Sequence, residues 1–416
     1  MKVLLVTPPL TQLNTSYPAT CHLLGFLRSK RLKAEQMDLS IELIQRLFTR
    51  EKLEEIFHEV SNQSDLSKIN KLRLQQSDFY LRTIEPVMRF LGGKDASLAQ
   101  RFCELSFWPD SKRLPSDDDL EWGFGMIGNH DRAIHLCTLF LKDLCDFINQ
   151  TIDPRFELIR YAESLCLRLP EFGPLQKELE KPHSLIDKLM LDIFARRIEE
   201  SKPDLVAFTI PFPGNLYSGL RCAQWIRINF PSTKIAMGGG YVNTELRSLS
   251  DPAIFNYTDY LLYDDGELPL FRLLTGGELI RTLYRSDEGD IVRVNFDSKE
   301  NVPFAETGTP SYDGLLQNNY LNLIELTNPM HALWSNGRWN KMILAHGCYW
   351  GKCAFCDGSL DYIRRFEQAP IEMIVDRMES IMEQTGQSGF HFVDEAAPPA
   401  LLKKLAEEIL RRKLIV

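Results

Sequence analysis

Residues 346–356 read HGCYWGKCAFC, so three of the chain's nine cysteines, Cys348, Cys353 and Cys356, fall on one short stretch. The apolar run KMILAHG (341–347) leads into it with the character of a strand. After it, Pro370 opens a helical pattern with Ile371, Ile374, Met378 and Ile381 on one face and Gly386 beyond its end. GFHFVDE (389–395) reads as the next strand and PALLKKLAEEILRRK (399–413) as the next helix. Strands alternating with helices argue for an α/β fold with a parallel sheet. His391, between Phe390 and Phe392, reads as a structural strand residue.

A thiol set spaced C-x4-C-x2-C can bind zinc or an iron–sulfur cluster. Structural zinc takes four protein ligands, and no second cysteine pair follows, so zinc would need His346 or a remote ligand. An iron–sulfur cube on three cysteines has one iron without a protein ligand, open to react. The aromatic Phe355, just before the third cysteine, would pack beside whatever binds. The other cysteines, Cys21, Cys103, Cys137, Cys145, Cys166 and Cys222, are scattered and read as small core residues.

The same alternation occurs far upstream. KVLLVTPP (2–9) is an apolar run ending in a turn, as a buried parallel strand would be. A helix is expected over 19–29 and a second strand over 33–39. DLVAFTIPF (204–212), KIAMGGG (234–240) and DYLLYDDGE (259–267) read as further strands. Leu216, Leu220, Ala223 and Ile226 mark one helix face between the first two of these. SDEGDIVRVNF (286–296) suggests a hairpin turning at Glu288-Gly289. Between the two halves of this pattern, roughly 41–202, the apolar spacing is helical and points to an insertion. A Pro-, Asn- and Gly-rich connector follows near 298–340.

With 416 residues the chain is too long for one ordinary domain of roughly 150. A net charge of −9 gives no basic footprint for nucleic acid. The N-terminal apolar run is broken by Pro8 and Pro9 and lacks a cleavage site, so it reads as a strand and not a signal peptide. No apolar stretch approaches the roughly 18 residues that span a bilayer. The expected compartment is the cytoplasm, where clustered cysteines point to metal or redox work.

On Cys348, Cys353, Cys356, Phe355 and the strand–loop–helix setting, the chain resembles the radical S-adenosylmethionine superfamily. The commonest spacing there has three residues between the first two cysteines; here there are four, YWGK. That departure, and the phrase FHFVDEAAPP, resemble the cobalamin-binding branch of the superfamily. The resemblance implies a Rossmann-like (flavodoxin-like) cobalamin-binding domain over 1–285, with the helical insertion at 41–202. A connector over 286–340 and the first part of a radical (β/α) partial TIM barrel over 341–416 would follow. It covers both ends of the chain and not the insertion.

The cofactors implied are a [4Fe–4S] cluster, S-adenosylmethionine and cobalamin. S-adenosylmethionine would chelate the open iron and be cleaved by one electron to a 5′-deoxyadenosyl radical. That radical chemistry would serve a reaction such as methyl transfer to an unactivated carbon. Phe355, Asp394 and Glu395 are the residues implied to contact S-adenosylmethionine. For cobalamin they are Thr7, Pro8, Gly238, Gly239 and Gly240, at the carboxyl ends of strands where open sheets bind ligands. No Asp-x-His-x-x-Gly follows the first strand, so no histidine there ligates cobalt. The implied partners are a reductant such as a flavodoxin or ferredoxin and a small-molecule or peptide substrate whose identity cannot be read. Two strand–helix units follow the cysteine loop, fewer than such a barrel needs, so the chain is expected to be truncated or a fragment, unstable or inactive past its connector. Competing readings are a cobalamin- or nucleotide-binding module with an inactive radical domain, and a zinc-binding interaction protein.

Overall fold

In the computed structural model, residues 1–125, 128–166, 172–249, 251–327, 338–354, 356–394 and 396–416 are described. Phe355 and Glu395 therefore lie outside the described residues.

The expected strands form with most side chains buried: β1 (Lys2–Thr7), β2 (Lys33–Asp38), β3 (Leu205–Thr209), β4 (Lys234–Gly238) and β5 (Tyr260–Leu262). β6 (Thr282–Arg285) and β7 (Ile291–Val294) are the two arms of the hairpin, whose turn carries Gly289 at φ 95°. Together they make a seven-stranded sheet in the order β2-β1-β3-β4-β5-β6-β7. β1 to β5 pair in parallel, while β6 and β7 are antiparallel additions at one edge. The parallel part has the flavodoxin-like order, with the reversal of winding between β1 and β3. The sheet runs to Val294, beyond Arg285, because the hairpin pairs directly onto β5.

Strand alternation sends alternate side chains to opposite faces. Val3, Leu5, Leu205, Ala236 and Leu262 pack on the helices Pro18–Ser29 and Glu267–Thr275. Leu4, Val6, Val206, Phe208, Ile235 and Met237 pack on the helices Leu185–Ser201 and Pro213–Asn229. Leu216, Leu220, Ala223 and Ile226 are all fully buried in this second layer.

The insertion is helical, as its spacing predicts; its longest helix is Asn129–Thr151. It is not a separate lobe, since its apolar residues continue the cluster on the second face of the sheet. Buried polar groups stitch it there. Asp187 accepts the Tyr161 hydroxyl at 2.7 Å and the Tyr217 hydroxyl at 3.0 Å. Arg155 and Arg221 lie beside it at 3.3 and 3.6 Å and balance its charge. The six scattered cysteines are all buried.

The connector packs back over the sheet. A side chain at Gly25 would collide with the Thr309 carbonyl, Gln36 donates to the Ser311 and Asp313 carbonyls, and the Tyr320 hydroxyl donates to Asp38. After it, β8 (Asn340–Met342) pairs in parallel with β11 (Phe390–Phe392), and the helix Ile371–Thr385 lies between them in sequence. Met342 and Leu344 bury against Ile374, Met378 and Ile381, while Leu401 and Leu405 of the helix Pro399–Arg412 join them. Cys21 of the first helix also enters this cluster and ties the two halves together. β9 (Ala345–His346) pairs antiparallel with β10 (Glu367–Gln368). Among the described residues no helix is long and apolar enough to cross a membrane.

Candidate functional site

The cysteine stretch is an excursion, residues 347–366, that leaves from β9 and returns into β10, with His346 opposite Glu367 at its neck. It can start there because Gly347 sits at φ 73° against the Arg365 carbonyl, where a Cβ would collide. Cys353 and Cys356 are exposed and Cys348 half-buried, unlike the other six cysteines. The Cys356 amide donates to the Cys353 carbonyl at 3.3 Å, so the last two cysteines share one turn. Among the described residues no three Cys, His, Asp or Glu side chains converge as metal ligands.

Asp394, just past β11, turns both carboxylate oxygens onto the chain. They accept the amides of Leu344 and Ala345, the segment that links β8 to the cysteine loop. Burial raises its pKa, and the amide hydrogen bonds oppose that rise. His391 is held by Lys341 of the neighbouring strand, at 2.7 Å.

A cavity of about 320 Å³ lies at the carboxyl edge of the sheet, on the face covered by the helices Pro18–Ser29 and Glu267–Thr275. Its floor is made of small residues. Ala207 and Thr209 of β3 stand in register beside Ala236 and Gly238 of β4, and large side chains at these positions would fill it. Gly239 also lines it. At φ 107° this glycine lets β4 pass the Ile210 backbone, where a Cβ would come within 3.0 Å. Gly240 starts the short helix Gly240–Thr244 beside Pro211 and is not part of the lining. Thr7 and Pro8 are buried and also lie outside the lining, and Asn215 donates to the Pro8 carbonyl at 2.6 Å. The cavity thus gathers Gly238 and Gly239 and leaves out Thr7, Pro8 and Gly240.

Of the cavity's polar wall, sequence reasoning did not single out His22, Glu267 or Arg365, and it weighed His346 only as a possible zinc ligand. His22 is pushed down to about 4 by burial and by the nearby Arg377, which keeps it neutral. Glu267 is raised by burial and by the charge of Asp265. His346 donates from Nε2 to Asp265 Oδ1 at 2.8 Å; burial would lower its pKa, but this bond and the Asp265 charge outweigh burial and raise it. Arg365 pairs with the other oxygen of Asp265. Beside the glycine run, a local signal for the cavity was the pair of small residues at alternate positions in VAFT and IAMG, which leave one face of each strand thin.

No family profile and no curated protein matches this chain. Among solved structures it is similar to a radical S-adenosylmethionine methyltransferase, TsrM, from Kitasatospora setae with tryptophan substrate and the S-adenosylmethionine analogue aza-SAM bound. That match has 20% identity, covers 54% of this chain and 43% of that one, and has a TM-score of 0.38. The structure of TsrM with cobalamin and a [4Fe–4S] cluster matches at 19% identity, 54% and 44% coverage and a TM-score of 0.36. The matched region spans less than half the length of those chains.

Proposed function

We propose that the chain is a radical S-adenosylmethionine protein with a second, cobalamin-binding site, acting in methyl transfer to an unactivated carbon. Cys348, Cys353 and Cys356 would hold a [4Fe–4S] cluster and leave its fourth iron to S-adenosylmethionine. The observation that carries this reading is the separation of the cysteines into two populations. Six are buried in apolar cores, and the three with C-x4-C-x2-C spacing lie on one loop that opens from a strand end. The donor chemistry fits: two exposed thiols and one half-buried thiol on one loop, with no fourth cysteine beside them.

When bound, the cluster supplies the electron that cleaves S-adenosylmethionine, and cobalamin supplies a methyl carrier or electron partner. The chain's own residues orient and enclose. Asp394 fixes the strand end before the loop through Leu344 and Ala345, which leaves S-adenosylmethionine only its remaining lone pairs. Phe355 and Glu395 join it as proposed S-adenosylmethionine contacts by their place in the sequence. Gly238 and Gly239 floor a cavity sized for a small ligand, and so for one arm of a corrinoid and not for the whole. A flavodoxin or ferredoxin is the proposed electron donor.

Anaerobic reconstitution with iron and sulfide tests the cluster. Broad visible absorbance that is lost in the Cys348→Ala, Cys353→Ala, Cys356→Ala variant supports it. One bound zinc per chain and no colour would replace it with the zinc-binding reading. Titration with hydroxocobalamin tests the second site, and a cluster without cobalamin binding would remove that half of the proposal.

A further inference from the structure

Asp265, His346 and Arg365 form one cluster drawn from distant parts of the chain. Residues 347–366 carry all three loop cysteines and are closed at the neck by the β9–β10 pairing. The neck is also fastened to the large sheet. Asp265, on the loop after β5, accepts His346 Nε2 with one oxygen and Arg365 with the other. Arg365 lies 3.3 Å from His346 and 3.5 Å from Glu367, so both sides of the neck meet at this carboxylate. The adjacent Asp264 is held by Arg247 and lies 3.6 Å from Arg281, which makes the loop after β5 a fixed anchor.

The same side chains are walls of the cavity. His346 and Arg365 line it together with Asp265, Gly238 and Gly239. Two atoms in this cluster, His346 Nδ1 and Arg365 Nε, are buried and have no hydrogen-bond partner among the described residues. A buried polar group left unpaired costs free energy until it is met. A polar ligand group, such as one of the amides on the rim of a corrinoid, is the chemistry that would meet them after a small side-chain shift.

We propose that Asp265 is a positioning residue that couples the cavity to the cysteine loop. A ligand seated against Gly238 and Gly239 fixes His346 and Arg365, and through them the neck from which Cys348, Cys353 and Cys356 project. Coupling between sites is reciprocal, so a loop closed on its cluster tightens binding in the cavity by the same factor. The inference rests on the cobalamin reading of the cavity given above.

The test uses the full chain, free of cluster, with hydroxocobalamin as the probe. Iodoacetamide alkylation of Cys353 and Cys356 is followed by mass spectrometry with and without saturating cobalamin, and affinity is measured separately. Wild-type alkylation is expected to slow by about fivefold or more when cobalamin binds. In Asp265→Asn, alkylated at a cobalamin concentration that the separate affinity measurement shows to saturate that variant, the protection disappears, and His346→Gln, which keeps a donor toward Asp265, retains part of it. Should Asp265→Asn not fold, Arg365→Met is read the same way. Equal alkylation with and without bound cobalamin overturns the coupling and leaves the cobalamin reading standing. Protection that persists in both variants means direct shielding and also overturns it. Failure of the wild-type protein to bind cobalamin shows in the affinity measurement, and removes the reading of the cavity together with this inference.

Discussion

Asp394 accepts the Leu344 amide with both carboxylate oxygens, at 2.9 and 3.1 Å. One of them also accepts the Ala345 amide at 3.0 Å. The chain leaves β8 here, and these amides would otherwise end a strand unpaired. Replacing Asp394 with Ala strands two amides and should cost about 1–3 kcal/mol. Asn keeps one acceptor and should fall between. Thermal melting reads the stability, and iron uptake on reconstitution reads the loop. An Ala variant that melts and takes up iron like wild type would mean that the clamp contributes nothing.

Gly347 is the second device at the loop's entrance. Its φ of 73° and its contact with the Arg365 carbonyl leave no room for a Cβ. Gly347→Ala should add roughly 1–2 kcal/mol of backbone strain, and the collision on top of it. The expected result is an opened neck: faster hydrogen exchange at β9 and β10 and loss of reconstituted colour, with the large sheet still folded. Exchange at β9 and β10 that matches wild type would show that the turn tolerates a side chain.

Filling the cavity separates its role from that of the cysteines. Ala207 lies on the cavity floor, and Ala207→Leu places three carbons into open space. Cobalamin affinity should drop tenfold or more, about 1.4 kcal/mol, while iron content stays at the wild-type level. Unchanged affinity would place any cobalamin elsewhere on the chain.

The sequence carried much of the fold because the strands are buried on both faces and read as apolar runs. KVLLVTPP, DLVAFTIPF and KIAMGGG contain β1, β3 and β4, which are two, four and two residues shorter than those runs. Strand order was not legible, since parallel neighbours are joined only by tertiary pairing. The fusion of the insertion with the sheet's core was equally hidden: helical spacing shows that a face is apolar, not what covers it. At the site, local patterns stood out and distant pairs did not. Cys348, Cys353 and Cys356 are close in sequence. His346 and Asp265 are 81 residues apart, and Arg365 and Asp265 are 100 apart. Nothing local marks Asp265 as their shared partner. Gly239 was visible as part of a glycine run, but its reason, the passing Ile210 backbone, lies on another strand.

Asp38 gives the fold a pH dependence whose sign can be stated in advance. It is buried at the end of β2, accepting the Ser40 amide at 2.9 Å and the Tyr320 hydroxyl at 2.9 Å. Burial raises its pKa to about 6, and those two hydrogen bonds hold back a larger rise. A carboxyl whose folded pKa is raised binds its proton more tightly in the folded state. Its contribution is fully present below the unfolded value near 4 and is lost as pH climbs through about 6. The loss amounts to about 3 kcal/mol by pH 8. Asp38→Asn cannot ionise, keeps an acceptor for the Ser40 amide, and needs only a rotation of the Tyr320 hydroxyl to accept its new N–H. The variant should therefore gain on wild type as pH rises from 4 to 8. Urea unfolding of both proteins at those two pH values measures the difference. A gap that stays constant across the range would mean that Asp38 is not protonated more readily in the folded state.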